Sequence, residues 1–297
     1  DMSVEQVQKH VLGQYRRFRY GPIVARDACN TAEDRGRLIK LTHTQKFVSS
    51  YLRPNSPQKG LLLWHSVGTG KTCTAIAVKS HFEMSDDTRP FHVLWVTKTS
   101  LLNMEQKNMY DSVCHSYIRE QIKRSGNIAR EELVTKYTQT IRSRGLIIRS
   151  VTYKQFSNAL LKRNDLGRAL SEKNGSDILK NTLIIIDEAH NLYADDFVEQ
   201  ERPDVAVISR NIHQSYVASK DDSCKVLLLT ATPFAAGVVG FVGMINLIIE
   251  KERDRFDPRT FRQKLCAPIS ARDTDCSVFS KEGKKYFSDR VKGLISY

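Results

Sequence analysis

The segment 61–72 reads LLLWHSVGTGKT and combines residue types that can hold the phosphates of a nucleotide. An apolar run leads into a glycine-rich turn, where successive backbone N–H groups can point at phosphate oxygens beside a helix N-terminus. We expect Lys71 to reach the β- and γ-phosphates and the Thr72 hydroxyl to bind Mg²⁺. The usual pattern has glycine where this chain has His65. The residues expected to contact the nucleotide are His65, Ser66, Val67, Gly68, Thr69, Gly70, Lys71 and Thr72.

A second candidate segment, 183–190, reads LIIIDEAH. Its four apolar residues predict a buried strand whose carboxyl end places Asp187 and Glu188 in the crevice where such sheets bind ligands. Asp187 is expected to hold Mg²⁺, through water, and Glu188 to orient and deprotonate the attacking water. His190 is expected to link this site to a neighbouring segment. With Lys71, the two acids predict ATP hydrolysis with ATP and Mg²⁺ as cofactors.

A third segment, 226–234, reads VLLLTATPF and repeats the arrangement of an apolar strand followed by small hydroxyl residues. Thr230 and Thr232 can hydrogen-bond both the acidic strand end and a substrate groove. We therefore expect Thr230, Ala231 and Thr232 to couple the two.

The elements that must position these residues are short apolar runs alternating with amphipathic stretches, a pattern typical of parallel strands joined by helices. It predicts a doubly wound α/β fold, a mostly parallel sheet with helices on both faces. The predicted strands are 61–64, 92–97, 146–149, 183–186 and 226–229, and the predicted helices are 44–52, 72–82, 101–110, 153–161 and 238–249.

The pattern divides the chain into an N-terminal extension (1–36), a nucleotide-binding domain (37–250) and a basic connector (251–297) without a buried strand before residue 294. Within the domain, 119–139 is expected to be an inserted helical or irregular segment, and 199–222 a long connection.

The charge favours a polyanionic partner, most simply nucleic acid. The 297 residues carry 46 Lys+Arg against 33 Asp+Glu, a formal net charge of +13. Twelve basic residues against four acids lie between 116 and 169, whereas seven acids and one arginine lie between 187 and 204. A local positive field of this kind suits phosphodiester binding.

Composition excludes several classes of protein. A hydrophobic content of 40% with 27% charged residues is not that of a wholly disordered chain. The longest apolar stretch, 238–249, is far shorter than the roughly 20 residues that cross a bilayer, and no secretory leader is expected. The six cysteines form no CxxC pair, which argues against a zinc knuckle and predicts reduced thiols in an intracellular setting.

The motifs GTGKT, DEAH and TAT, in this order, resemble those of the superfamily 2 helicases and translocases. The resemblance implies RecA-like lobes with ATP bound between two of them. It also implies that Gln45, in the segment LTHTQ, reads adenine, and that Lys98, Thr99 and Tyr153 contact nucleic acid.

The match is sharper with the helicases of large DNA viruses. HSVGTGKT, IIIDEAHNLY, TATPF and the terminal VKGLISY resemble the small subunit of the poxvirus early transcription factor, the poxvirus nucleoside triphosphate phosphohydrolase and their asfarvirus counterparts. The resemblance covers about residues 38–297 and only the first lobe, so it implies a part of a longer enzyme that lacks the arginine finger of the second lobe. Such a lobe is expected to bind ATP weakly and to hydrolyse little of it.

The same resemblance predicts the partners and the location. They are nucleic acid, with DNA favoured over RNA, a second helicase lobe, and RNA polymerase or a transcription-factor subunit, with no membrane. The location is intracellular, in the host cytoplasm or the virion.

Two other functions share the motifs. One is a remodelling or repair translocase outside viruses, against which only the terminal LISY segment argues. The other is a nucleotide-dependent switch that recruits transcription partners without translocating. Nucleic-acid-stimulated ATPase separates the translocases from the switch. A small-molecule kinase fits less well, since it needs neither the TAT strand nor a basic insert.

Overall fold

The computed structural model describes residues 4–19, 41–83, 91–111, 113–125, 129–194, 197–265 and 280–296. Six parallel strands form one sheet in the order β3-β2-β4-β5-β1-β6. They are β1 (Gly60–Trp64), β2 (His92–Thr97), β3 (Ile148–Thr152), β4 (Thr182–Ile186), β5 (Lys225–Thr230) and β6 (Ile295–Ser296). Since every strand runs the same way, all the carboxyl ends share one edge of the sheet, and the α/β prediction is confirmed.

Helices cover both faces of the sheet. Those of the described residues are α1 (Val4–Gln14), α2 (His43–Tyr51), α3 (Lys71–Glu83), α4 (Leu102–Asn108), α5 (Ser116–Ser125), α6 (Arg130–Ser143), α7 (Tyr153–Leu160), α8 (Asp165–Asn174), α9 (Val205–Ser219), α10 (Gly237–Asn246), α11 (Pro258–Leu265) and α12 (Lys281–Val291). Capping boxes begin α2 at Thr42 and α7 at Thr152, because each threonine is followed three residues later by glutamine.

The sheet is buried on both faces, and alternate residues of each strand enter two different cores. In β4, Ile184 and Ile186 pack with the cluster that includes α7, α9 and α10, whereas Leu183 and Ile185 pack with the cluster that includes α2 and α3. All four side chains have no exposed surface. This two-sided burial explains why the strands read as continuous apolar runs.

Two predictions of secondary structure were wrong, and a helix was missed. Most of the connection expected over 199–222 is the helix α9, whose first turn is capped by Asp204. The third strand is Ile148–Thr152 and not 146–149, because polar Ser150 and Thr152 belong to it and pair with β2. The helix α8 was missed; its N-cap, Asn164, accepts a hydrogen bond from the Gly167 amide.

The described parts of the two flanking segments pack on the domain. Tyr15 contacts the rings of Phe47 and Tyr51 on α2, at centroid distances of 5.1 and 5.7 Å. From the other end, Phe256 and Phe261 join the core, and β6 pairs with β1. The rest of the predicted extension, residues 1–3 and 20–36, lies outside the described residues.

The expectation of reduced thiols is wrong for two cysteines. Cys73, in the first turn of α3, forms a disulfide with Cys114, just before α5. The two cysteines are 41 residues apart in the sequence, but the fold brings their Cα atoms to within 5.0 Å of each other. Cys224 is a buried free thiol, and Cys29, Cys266 and Cys276 lie outside the described residues.

A buried polar cluster joins α3 to the basic insert close to this disulfide. Glu83 on α3 forms an ion pair with Lys79 at 2.5 Å, and its Oε2 atom accepts hydrogen bonds from Tyr137 at 2.9 Å and lies 2.8 Å from His115 Nε2. The insert predicted over 119–139 is therefore the two helices α5 and α6, anchored to the helix that follows the glycine-rich loop.

Among the residues that the structure describes, none of the helices has both the length and the apolar character needed to cross a membrane.

Candidate functional site

The glycine-rich loop connects β1 to α3 at the carboxyl edge of the sheet. Gly68 and Gly70 have φ angles of +81° and +82°, a region that other residues adopt only with strain. A Cβ atom on Gly70 would also lie 2.6 Å from Gln45 Nε2. Val67 is 84% exposed, so the loop is open to solvent. The loop therefore has the backbone shape and access that a phosphate-binding turn requires.

Lys71 lies over this loop. Its Nζ atom donates hydrogen bonds to the carbonyl oxygens of His65 at 3.0 Å and Ser66 at 3.2 Å. The Lys71 ammonium group, which would bind a triphosphate, is thus hydrogen-bonded to two neutral carbonyl oxygens. Phosphate oxygens carry full negative charge and are stronger partners for an ammonium than carbonyls are.

The acidic segment forms a tight turn directly after β4. The Asp187 amide donates to the Val96 carbonyl of β2 at 2.9 Å, and Asp187 Oδ1 accepts the Glu188 amide at 3.0 Å. Glu188 has a φ angle of +45°, a left-handed conformation that costs energy in a residue other than glycine. The hydrogen bonds of the turn hold Glu188 in this conformation.

The two segments share one electrostatic environment. Burial, together with the negative charge of Glu188, raises the pKa of Asp187 to about 6, and the positive charge of Lys71 opposes that rise. Asp187 is only 6% exposed. Because β4, β5 and β1 are successive neighbours in the sheet, the ends of β4 and β1 lie close enough for Lys71 to influence Asp187.

The third segment contacts the acidic turn through side chains. His190 Nδ1 lies 2.8 Å from Thr230 Oγ1 and 3.5 Å from Glu188 Oε2. Thr230 Oγ1 also accepts the amide of Thr232 at 3.1 Å, across Ala231. A chain of contacts thus runs from Glu188 through His190 to the turn that follows β5.

Gln45 is tied to the glycine-rich loop. Its Oε1 atom accepts the Thr42 amide at 2.8 Å, and its Nε2 atom donates to the Gly70 carbonyl at 3.3 Å. The carboxamide keeps a second lone pair and a second N–H for a ligand. Beside it lies a cavity of about 420 Å³ that Trp64 and Ser66 help to line. Sequence reasoning did not foresee that Gln45 also supports the loop.

The residues predicted to contact nucleic acid differ in their exposure to solvent. Thr99 is exposed and Lys98 partly exposed, just beyond β2. Tyr153, by contrast, is 1% exposed, and its hydroxyl donates to the carbonyl oxygens of Asp187 at 2.5 Å and Glu188 at 3.2 Å. The structure leaves Tyr153 no surface for the direct contact that was predicted; it holds the acidic turn instead.

Sequence reasoning missed a third acid beside this turn. Glu105 on α4 is 1% exposed, and burial together with the charge of Asp187 raises its pKa to about 7. Within the described part of the chain, Glu105 Oε2 and the hydroxyl of Thr97 have no hydrogen-bond partner. A single glutamate in an amphipathic helix is ordinarily a solvated residue, so no signal in the sequence distinguished it.

A contact between distant segments was missed as well. Ser296 on β6 lies 2.9 Å, Oγ to Nε2, from His65 in the glycine-rich loop. The neighbouring Leu294 carbonyl accepts the Leu62 amide at 2.7 Å, and the Gly293 carbonyl accepts the hydroxyl of Tyr51 at 2.9 Å. Residues 293–296 therefore pack against α2 and against the strand and loop that lead to Lys71.

The donor set suits a magnesium ion bound together with phosphates. Mg²⁺ prefers oxygen ligands and is usually held by one or two side chains plus substrate phosphates. Thr72 and Asp187 supply such oxygens, and the described residues contain no group of three or more His, Cys, Asp or Glu side chains that could hold a metal alone. Burial and the charge of Glu188 raise the pKa of Asp187, and a bound cation would favour its ionised form.

The parallel sheet and the glycine-rich loop after β1 define an α/β fold of the P-loop NTPase class. A family model described as "Type III restriction enzyme, res subunit" matches residues 14–235, about three quarters of the chain. The chain belongs to this family. The match begins within the predicted extension, before residue 37.

Viral proteins named as helicases are among the relatives of this chain. Protein 087L of Invertebrate iridescent virus 3, named as a helicase, is 27% identical over 246 residues, which cover 76% of this chain and 22% of the relative. R563 of Acanthamoeba polyphaga mimivirus, named as an ATP-dependent RNA helicase, is 24% identical, covering 85% of this chain and 40% of the relative. The chain thus spans less than half the length of these relatives.

A transcription protein is also among the relatives. The early transcription factor large subunit homolog of African swine fever virus is 23% identical, covering 72% of this chain and 24% of the relative. This relative is named after the large subunit of the early transcription factor. The motifs of the sequence had instead suggested a resemblance to the small subunit of the poxvirus factor. The SWI2/SNF2 ATPase core of Sulfolobus solfataricus aligns with a TM-score of 0.41 at 16% identity, covering 80% of this chain and 39% of that one.

Proposed function

We propose that this chain is the ATP-binding lobe of an ATP-dependent nucleic-acid helicase or translocase that serves viral transcription. The observation that carries the proposal is that Lys71 and the acidic turn lie at one edge of the sheet, near enough for Lys71 to affect the pKa of Asp187. The family match and the names of the viral relatives support the helicase function, and the name of the asfarvirus relative supports a role in transcription.

In this proposal the site residues divide the work. The loop amides and Lys71 bind the β- and γ-phosphates, and Thr72 and Asp187 would hold Mg²⁺, which neutralises phosphate charge when it is bound. Glu188 orients water and accepts its proton. His190, which lies 2.8 Å from Thr230, transmits the state of this site to the TAT turn.

Nucleic acid is proposed to bind along the same edge, through Lys98, Thr99 and the basic stretch 116–169. Phosphate contacts of this kind carry no sequence information, and the affinity they provide falls with salt. DNA is favoured over RNA, and a second lobe, RNA polymerase or a transcription-factor subunit are the proposed protein partners. An intracellular location, in the host cytoplasm or the virion, belongs to the same proposal.

The test is ATP hydrolysis with and without nucleic acid, measured on this chain and on the longer protein. The longer protein should be stimulated by single-stranded DNA or RNA, and the lobe alone should hydrolyse slowly, since an arginine supplied across an interface is worth about 10³–10⁵ in rate. Turnover of the lobe equal to that of the longer protein would contradict the single-lobe assignment. Nucleotide binding without any stimulation would favour the alternative of a switch that recruits partners.

A further inference from the structure

A small cavity lies between the segment that follows β2 and the segment that follows the acidic turn. It has a volume of about 380 Å³ and is lined by Lys98, Thr99, Ser100, Phe197, Val198 and Glu201. The Phe197 ring is partly exposed, and Lys98 Nζ lies 6.0 Å from its centroid. The cavity therefore combines one aromatic face with one ammonium group, both accessible to solvent.

The two sides of this cavity differ in charge and polarity. Lys98 and the hydroxyls of Thr99 and Ser100 form one wall, which suits a phosphate. The opposite wall is apolar apart from Glu201, whose exposed carboxylate would repel a phosphate. A ligand with a phosphate at one end and a flat, uncharged ring at the other matches both walls.

We propose that Phe197 is a stacking platform for one unpaired base of single-stranded nucleic acid, with the adjacent phosphate on Lys98 and Thr99. The inference rests on the proposed function, because it assumes that nucleic acid binds along this edge. Stacking suits a single strand in particular, since the bases of a duplex already stack on each other and do not offer a free face.

Tyr153 connects the Phe197 ring to the acidic turn. Phe197 packs edge-on against Tyr153 at a centroid distance of 6.0 Å, and the Tyr153 hydroxyl holds the carbonyl oxygens of Asp187 and Glu188. A base seated on Phe197 would thus bear on the residue that fixes the acidic turn. Phe197 is a binding residue in this proposal, and Tyr153 is a positioning residue.

The experiment measures binding of fluorescein-labelled dT20, rU20 and a 20-base-pair DNA duplex by anisotropy, for the wild-type chain and three variants at position 197. Phe197→Ala and Phe197→Leu should each weaken single-strand binding about tenfold, and Phe197→Tyr should bind like the wild type, because only an aromatic face stacks. Duplex binding should change less than twofold. Val217→Ala, which truncates a 74% exposed valine on α9, is the matched control and should change nothing.

Salt dependence separates stacking from charge. Lys98→Ala should lower the slope of log affinity against log salt by about one, whereas Phe197→Ala should leave it unchanged. Nucleotide affinity and the thermal midpoint, measured on the same samples, distinguish a folding defect from lost stacking. If Phe197→Ala has a folding defect, the comparison of Phe197→Leu with Phe197→Tyr still shows whether an aromatic ring is required for binding.

Two results would overturn the inference while leaving the proposed function intact. One is a Phe197→Leu variant that binds single strands as tightly as the wild type, which would reduce Phe197 to apolar packing against Tyr153. The other is an equal loss for duplex and single strand. A wild-type chain and longer protein that bind no nucleic acid at all would instead remove the proposed function, and this inference with it.

Discussion

The glycine-rich loop and the acidic turn lie at the same edge of the sheet but are built in opposite ways. The loop is solvent-exposed, is shaped by two glycines with positive φ angles, and leaves Lys71 bonded to its own carbonyls. The acidic turn has a buried aspartate and a partly exposed glutamate, and it is held by side chains, among them Tyr153 and the bonded pair of His190 and Thr230. One region can adjust to a ligand, whereas the other is fixed before the ligand arrives.

This difference between the loop and the turn fits the two functions proposed for them, phosphate binding and water activation. Phosphate binding uses many backbone amides, each of modest strength, so an open loop that closes around the ligand suffices. In the proposed function, water activation requires one carboxylate in one orientation, which the strained turn would provide in advance. Substitutions in the loop should therefore change affinity, and substitutions in the turn should change rate.

The largest expected effect is on the rate. Glu188→Gln should lower ATP hydrolysis about 10²–10⁴-fold, because the amide cannot accept the proton of the attacking water. ATP affinity should stay within about twofold of the wild type, since Glu188 touches no phosphate in this proposal. Single-turnover hydrolysis with excess protein measures the rate, and Glu199→Gln, which neutralises an exposed acid on the next segment, is the control. Intact hydrolysis in Glu188→Gln would remove Glu188 from the mechanism.

The next effect is on affinity. Lys71→Ala should weaken ATP binding about 10- to 100-fold, the range expected for losing hydrogen bonds to a charged group. Binding of AMP should be almost unchanged, because AMP lacks the two phosphates that Lys71 reaches. Titration calorimetry with both nucleotides checks this, with Lys46→Ala, an exposed lysine on α2, as the control. Equal losses for AMP and ATP would mean that the substitution damages the loop as a whole.

A smaller effect should come from pH. Because burial and Glu188 raise the pKa of Asp187 to about 6 in the metal-free protein, Mg²⁺ must displace a proton below that value. The Mg²⁺-dependent part of ATP affinity should therefore fall up to about tenfold per unit as the pH drops below 6. Asp187→Asn should weaken that Mg²⁺-dependent part and remove the slope that Asp187 causes, and binding measured in EDTA gives the baseline set by protonation of ATP itself, whose terminal phosphate has a pKa of about 6.

The stability of the metal-free fold should change with pH in the opposite direction. The folded pKa of Asp187 lies above its ordinary value of 3.8, so the folded state holds this proton more tightly than the unfolded state does. Between about pH 4 and 6, the contribution of Asp187 to stability therefore falls as the pH rises. Denaturant unfolding of wild type and Asp187→Asn across this range checks the sign, since the wild type alone should show that contribution.

The sequence was sufficient for those parts of the fold and site that local patterns specify. The apolar runs predicted β1, β2, β4 and β5 to within one residue at each end, because strands buried on both faces read as continuous apolar segments. Lys71 and Asp187 were expected at one edge because parallel strands place their carboxyl ends together. The left-handed conformation of Glu188 follows from contacts across the sheet and has no local signal.

What could not be predicted depends on contacts between distant segments. Cys73 and Cys114, Glu105 and Asp187, and His65 and Ser296 are pairs that only the folded chain creates. Tyr153 was expected to contact nucleic acid because of the family resemblance, but α7 begins at that residue and the side chain is buried. The helix α9 was missed because apolar and polar residues alternate irregularly along 205–219 and obscure the helical period.

The smallest effect tests how rigidly the loop is supported from outside. Ser296→Ala should weaken ATP binding no more than about fivefold, since a hydrogen bond between neutral side chains contributes about 1 kcal/mol. The loss should be shared with His65: once His65→Ala is present, adding Ser296→Ala should change nothing further, which a double-mutant cycle measures. Ser288→Ala on α12, an exposed serine, is the control. Additive losses would mean that the two side chains support the loop independently, so that β6 does not hold it through His65. A coupled loss would sharpen the contrast with the acidic turn: the loop would then owe part of its shape to a segment more than 200 residues away, whereas the turn is held by α7 and by the neighbouring strand β5.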